Sequence, residues 1–178
     1  MKAGHCDLQD TAGITKLKAP EIVDELNGLT SKAQALQAPI QSITPNNGVL
    51  IVVSQGPFPS IIKGYADIVT AGTYLVAGLQ DQGSLSGKDA DDVYSAYTAF
   101  AKVNEFTLHM LNGKGATYAN LPFVTQPVAA VLRNVENIYD TLAFTLADAT
   151  KSHAAELQGA AGKLGEELDR IIYTYQGR

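Results

Sequence analysis

Hydrophobic positions recur along most of this chain with the spacing of a helix face. Ile22, Leu26, Leu29, Ala33, Leu36, Ile40 and Ile43 follow one another at alternating steps of four and three, which places all seven on one side of a helix. Pro20 suits the first turn of that helix, whereas Pro39 lacks an N–H and predicts a kink towards its far end. Thr44-Pro45-Asn46-Asn47-Gly48 closes it. A second helix is predicted over about 60–81, after the stiff turn Gly56-Pro57-Phe58-Pro59, with Ser60 as its cap. It carries two stripes. Ile61, Tyr65, Ile68, Gly72, Leu75 and Leu79 form one, and Ile62, Val69, Thr73 and Val76 lie on another side. Two apolar sides predict an inner helix, touched by more than one neighbour.

Three more helices follow. Ser86-Gly87-Lys88-Asp89 has capping-box spacing and opens helix three, whose seam runs through Val93, Tyr97, Phe100, Val103, Thr107 and Leu111, with Phe106 and Met110 beside it and Asn112-Gly113 as its stop. Residues 114–125 read as a loop or short turn holding Tyr118, Leu121 and Phe123. Helix four spans about 126–148, capped by Thr125 with Pro127 in its first turn, and turns Val128, Val131, Leu132, Val135, Ile138, Tyr139, Leu142, Thr145 and Leu146 inward. Helix five runs from Ser152 to about Tyr175 on Ala154, Leu157, Ala161, Leu164, Leu168, Ile171 and Tyr175. Val49–Val53 could be a buried strand, but no second strand-like segment exists to pair with it. It reads as extended chain or one helical turn packed over the bundle end. The fold class is therefore all-α, a five-helix bundle.

Composition narrows the function more by exclusion than by assertion. The chain has 178 residues, 46% hydrophobic and 17% charged, with a net charge of −5. That length supports one domain with a real core. The negative balance and the lack of a Lys/Arg run exclude a phosphate-backbone footprint, so no nucleic acid is expected. The single cysteine, Cys6, permits neither an intrachain disulfide nor a cysteine zinc site. The start, MKAGHCDLQD, has no apolar signal-peptide core, and the low-charge run at 68–80 is too short to span a bilayer. Residues 1–19 read as an N-terminal arm, mobile or docked, before a helical domain at 20–178; whether Met1–Cys6 is native stays open. Exchange of the arm between two molecules would give a homodimer, which no feature decides.

Catalytic chemistry is not visible. His5, His109 and His153 are scattered, and Asp89, Asp91 and Asp92 sit where carboxylates favour a helix start. Glu166, Glu167 and Asp169 lie off the seam of helix five and read as a solvated face. Gly113-Lys114-Gly115 lacks the spacing and the hydroxyl of a phosphate loop. No enzyme activity, metal or cofactor is expected. Gly64, Ala66, Ala71, Gly72, Ala77 and Gly78 on helix two would let neighbours approach closely, or leave room for a ligand. Core and cavity linings look alike in sequence.

Several stretches together resemble a known family. Gln55-Gly56-Pro57-Phe58-Pro59 leads into Ile61–Thr70; Leu108–Lys114 follows; then come Pro127–Glu136, Asp140–Phe144 and Ala154–Gln158. Their order and spacing over about 20–177 are similar to the fungal cell-wall galactomannoproteins, grouped with hydrophobic surface-binding protein A. The resemblance implies a secreted or wall-anchored helical domain that binds long-chain fatty acids, arachidonic acid among them, in an elongated apolar tunnel, with capture of a host signalling lipid as the proposed role. The chain lacks that family's serine/threonine-rich linker and anchor signal.

On that reading the tunnel wall would draw on Ile61, Tyr65, Ile68, Leu75, Phe100, Val103, Phe106, Met110, Leu132, Val135, Leu142 and Phe144. A carboxylate cannot be buried bare, and the cations fall mostly on predicted outer faces. Its candidate donors are therefore neutral: Gln37, Ser42, Gln55, Ser60 and Thr73. The alternative function is adhesion or recruitment, binding a hydrophobic surface or a protein partner through an exposed apolar face.

Overall fold

The first apolar stripe folds as two helices rather than one. In the computed structural model, which describes residues 16–80 and 82–176, α1 spans Ala19–Ala35 and α2 spans Gln37–Gln41. Pro39 has no N–H to offer the carbonyl four residues earlier, that of Ala35, and α1 ends there. The seven seam residues from Ile22 to Ile43 are all buried. The expected arm at 1–19 lies mostly outside the described residues. Its last part docks: Leu17 donates its backbone N–H to the Gly78 carbonyl at 3.3 Å.

A short helix α3, Pro45–Gly48, is held by a reciprocal cap in which the Asn47 N–H donates to Thr44 Oγ1 and the Thr44 N–H donates to Asn47 Oδ1. Val49–Val53 then forms a 3₁₀ turn, so the helical-turn reading holds, but none of its five residues is buried. Ser54 (φ 56°) and Gly56 (φ 79°) reverse the chain into α4, Pro57–Leu79. Any other residue at Gly56 would also drive its β-carbon into the Asn47 carbonyl. The helix therefore starts three residues before Ser60, which lies exposed in its first turn and is not the cap.

Helix α5, Gly87–Gly115, begins after Ser86 as expected, although the Ser86 side chain makes no capping bond, and it runs past Gly113. The next helix, α6, spans Pro122–Ala149. Its N-cap position is Leu121, so Thr125 is a buried helical residue and Pro127 lies inside the helix. Only Ala116–Tyr118 and the few residues after it remain of the expected loop at 114–125. Another 3₁₀ turn, Lys151–His153, leads into α7, Ala154–Tyr175. No strand occurs among the described residues.

The five long helices close into a ring in the order α1, α4, α6, α7, α5 and back to α1. Helices α1, α5 and α7 run one way and α4 and α6 the other. Ile138 of α6 lies over Gly72 of α4, and Leu36 and Leu17 lie over Gly64 and Gly78. The small residues of α4 admit α6 on one flank and α1 on the other, as two apolar sides predict. But α4 is one wall of the ring and not a central helix: of its second stripe Val76 is buried, Ile62 and Val69 are half-buried and Thr73 is exposed. At the end where α6 finishes, the Leu85 N–H donates to the Ala149 carbonyl at 2.7 Å and the His153 ring stacks on Tyr94 with centroids 4.4 Å apart.

Candidate ligand-binding interior

Rods about 10 Å across, set in a closed pentagon, leave a central space about 7 Å wide. Backbone packing alone does not fill a gap of that size, so large side chains must cross it. Here they do. Phe100 of α5 meets Tyr139 of α6 edge-on at 5.0 Å, and Phe58 of α4 meets Tyr175 of α7 at 6.4 Å. Neither pair belongs to helices adjacent in the ring. Tyr65, Tyr97, Phe58, Phe100, Tyr118 and Tyr175 are among the largest fully buried side chains, and they join Ile61, Ile68, Leu75, Leu132, Val135 and Leu142 in one continuous core.

This interior is apolar but not wholly so. The Tyr139 hydroxyl donates to Asn104 Oδ1, and Asn104 Nδ2 donates to the Phe100 carbonyl at 2.9 Å. Tyr175 donates to the Leu111 carbonyl at 3.1 Å, and Tyr118 to that of Thr44. The hydroxyls of Tyr65 and Tyr97 have no partner among the described residues. Leaving a buried hydroxyl unpaired costs about 1–3 kcal/mol. Burial pushes the phenols of Tyr65, Tyr97, Tyr139 and Tyr175 well above their ordinary range, so all four stay neutral donors.

The structure sorts the expected ligand residues by depth. Ile61, Tyr65, Ile68, Leu75, Phe100, Leu132, Val135 and Leu142 meet in the interior. Val103 and Met110 are half-buried against it. Phe106 and Phe144, 56% and 74% exposed, face outward. Phe144 is two residues past Leu142, about 200° round the helix, and sits in a groove beside Leu79 and Gln80. Among the polar candidates, Gln37 reaches inward, its Nε2 donating to Thr107 Oγ1 at 3.2 Å. Ser42 and Thr73 are exposed and donate to the backbone carbonyls of Pro39 and Val69; Gln55 and Ser60 are exposed.

Two features lay beyond the sequence reading. Asn104, which the helix-three seam passes over, is wholly buried. A strict alternation of three and four through Tyr97, Phe100, Asn104, Thr107 and Leu111 would have found it; choosing Val103 instead broke the period. Glu167 is also buried rather than solvated, and its carboxylate accepts from Arg170 at 3.3 Å and lies 3.2 Å from His109 Nδ1. Among the described residues no helix is long and apolar enough to cross a membrane, and no three His, Cys, Asp or Glu side chains cluster as metal ligands.

No protein-family model and no curated protein sequence matches the chain. Solved structures do. Ligand-binding domain 1 of the Penicillium marneffei MP1 protein, complexed with arachidonic acids, superposes with a TM-score of 0.74 at 15% identity, over 89% of this chain and 99% of that one. AFMP4P in complex with palmitic acid gives 0.77, also at 15% identity and over the same shares. Ligand-binding domain 2 of the MP1 protein, with multiple arachidonic acids, gives 0.73 at 13% identity over 87% and 94%. At these identities the likeness is one of fold: this chain has the all-helical architecture of the fungal MP1 and AFMP4P ligand-binding domains.

Proposed function

We propose that this protein binds and sequesters long-chain fatty acids without catalysis, as a secreted or cell-wall component, with the acyl chain taken up along the centre of the helical ring. One observation carries the reading. The fold is a closed five-helix ring spanned by side chains rather than by helix contacts, and its solved counterparts hold arachidonic or palmitic acid. The wall would be Ile61, Tyr65, Ile68, Leu75, Phe100, Leu132, Val135 and Leu142, with Val103 and Met110 at its margin. Met110 adapts to a bent chain because its thioether is unbranched. Burying the chain of palmitic acid at about 0.8 kcal/mol per methylene yields roughly 10–12 kcal/mol gross. Association costs remove at least about 4 kcal/mol, which leaves micromolar or tighter binding within reach.

Native mass spectrometry of the purified protein, followed by denaturing extraction, tests this directly. A discrete added mass matching one or more fatty acids is the expected result. An unliganded mass that persists after incubation with palmitate and arachidonate would sink the proposal.

A second reading, adsorption to hydrophobic surfaces, draws on a separate observation. At the end of the bundle formed by α2, α3 and the first 3₁₀ turn, Leu50, Val52, Val53 and Phe123 are exposed. That apolar end is the face such a protein would use.

A further inference from the structure

Five tyrosines are buried, and three of them have found acceptors. Tyr65 and Tyr97, each with no exposed surface, have not. They come from α4 and α5, which are not neighbours in the ring, and the Tyr97 ring lies 5.6 Å from that of Phe100, which itself meets Tyr139. Two unsatisfied donors therefore lie inside the ring, one on each of two different walls. Packing alone does not account for them, because phenylalanine would fill the same space without stranding a hydroxyl.

We infer that the Tyr65 and Tyr97 hydroxyls are the inner polar subsite of the ligand site, each free to donate a hydrogen bond to an uncharged oxygen of the bound acyl ligand. The inference rests on the fatty-acid reading and adds to it the chemistry recognised at the ring's centre. The buried polar residues among those described are Asn104, Thr107, Thr125, Thr150 and Glu167, with no cation among them. An ionised carboxylate there would be uncompensated. A protonated carboxyl group or a mid-chain hydroxyl or epoxide suits two neutral donors that can also accept. Asn104 does not compete for them, since its Oδ1 already takes the Tyr139 proton and its Nδ2 serves the Phe100 carbonyl.

The test compares the unaltered protein with Tyr65→Phe, Tyr97→Phe and the double variant, all stripped of lipid. Thermal unfolding and calorimetric titration with palmitic acid and with 12-hydroxystearic acid are the readouts. The stripped Phe variants should melt no lower than the parent, because each loses an unpaired donor. Affinity should fall about 5-fold per hydroxyl, the weight of one neutral hydrogen bond. Loss for both acids assigns the contact to the carboxyl group; loss for 12-hydroxystearic acid alone assigns it to the mid-chain oxygen. Unchanged affinity for both acids in the double variant overturns the subsite, and a lower Tm alongside it assigns the hydroxyls to internal water. Failure of the parent to bind either acid is a different result, which removes the fatty-acid reading and the subsite with it.

Discussion

Gly48 shows how much a single position can decide. It packs against the phenol of Tyr118 so closely that a β-carbon would overlap the ring. Its own backbone is ordinary helix, where alanine is favoured by about 1 kcal/mol over glycine. The overlap should win, because Tyr118 is buried and tied by its hydroxyl to the Thr44 carbonyl. Gly48→Ala is expected to destabilise the protein by about 1–3 kcal/mol, read as a lower urea midpoint; a midpoint at or above the parent's would show that Tyr118 can move aside. The helical pattern makes Gly64 and Gly72 visible as small residues among the apolar stripes of α4, but nothing local marks Gly48. Its partner lies 70 residues along the chain.

At the scale of elements, α6 and α7 meet across a set of carboxylates. Burial, and then the neighbouring Asp169, hold Glu136 above its ordinary range, and the same two causes raise Asp140; Arg133 offsets Glu136 in part. A carboxyl group whose folded pKa is raised binds more protons folded than unfolded. Its contribution is present at low pH and is lost as pH climbs from about 4 through the raised value. Asp169→Asn removes the shared like charge. It should raise stability near pH 7 by about 0.5 kcal/mol, the scale of an exposed pair, and flatten the Tm profile between pH 4.5 and 7.5. An unchanged profile would mean that solvent already screens these groups. Element boundaries were the least legible part of the sequence. Pro39 predicts a kink, and the helix tightens and is interrupted at Leu36 alone before it resumes as α2, whereas Thr125-x-Pro127 reads as a helix start although that helix begins at Pro122. A proline marks disturbed hydrogen bonding without saying on which side the helix resumes.

Across the whole molecule, charge is distributed unevenly between the two ends. Residues 33–62 and 115–132 contain no Asp, Glu, Lys or Arg, and both segments gather at the end that exposes Leu50, Val52, Val53 and Phe123. Lys114, which borders the second segment at one end, turns its ammonium to the carbonyls of Gln41 and Ile43. A Val52→Asp/Val53→Asp variant should fold normally, since both side chains are 59% or more exposed and surface changes cost about 0.5 kcal/mol or less. It should also bind polystyrene or octyl-substituted beads several-fold less than the parent. Equal retention would exclude this end as an adhesive face.

The class of fold and most of the core were legible from the sequence. The step of three and four is a property of the helix backbone, so Ile22 to Ile43 and Leu157 to Tyr175 declared their inward faces before any partner was known. The sequence also shows what the chain lacks chemically, because a missing cysteine pair or basic run is plain in composition. Closure of the helices into a ring depends on contacts between elements far apart in the chain. Side chains such as Phe100 and Tyr139 meet across that ring, and whether a buried tyrosine finds an acceptor depends on residues brought from another helix. Tyr65, Tyr97 and Tyr139 look alike as members of apolar seams. Asn104 satisfies only the last of them, and no periodicity could foretell which.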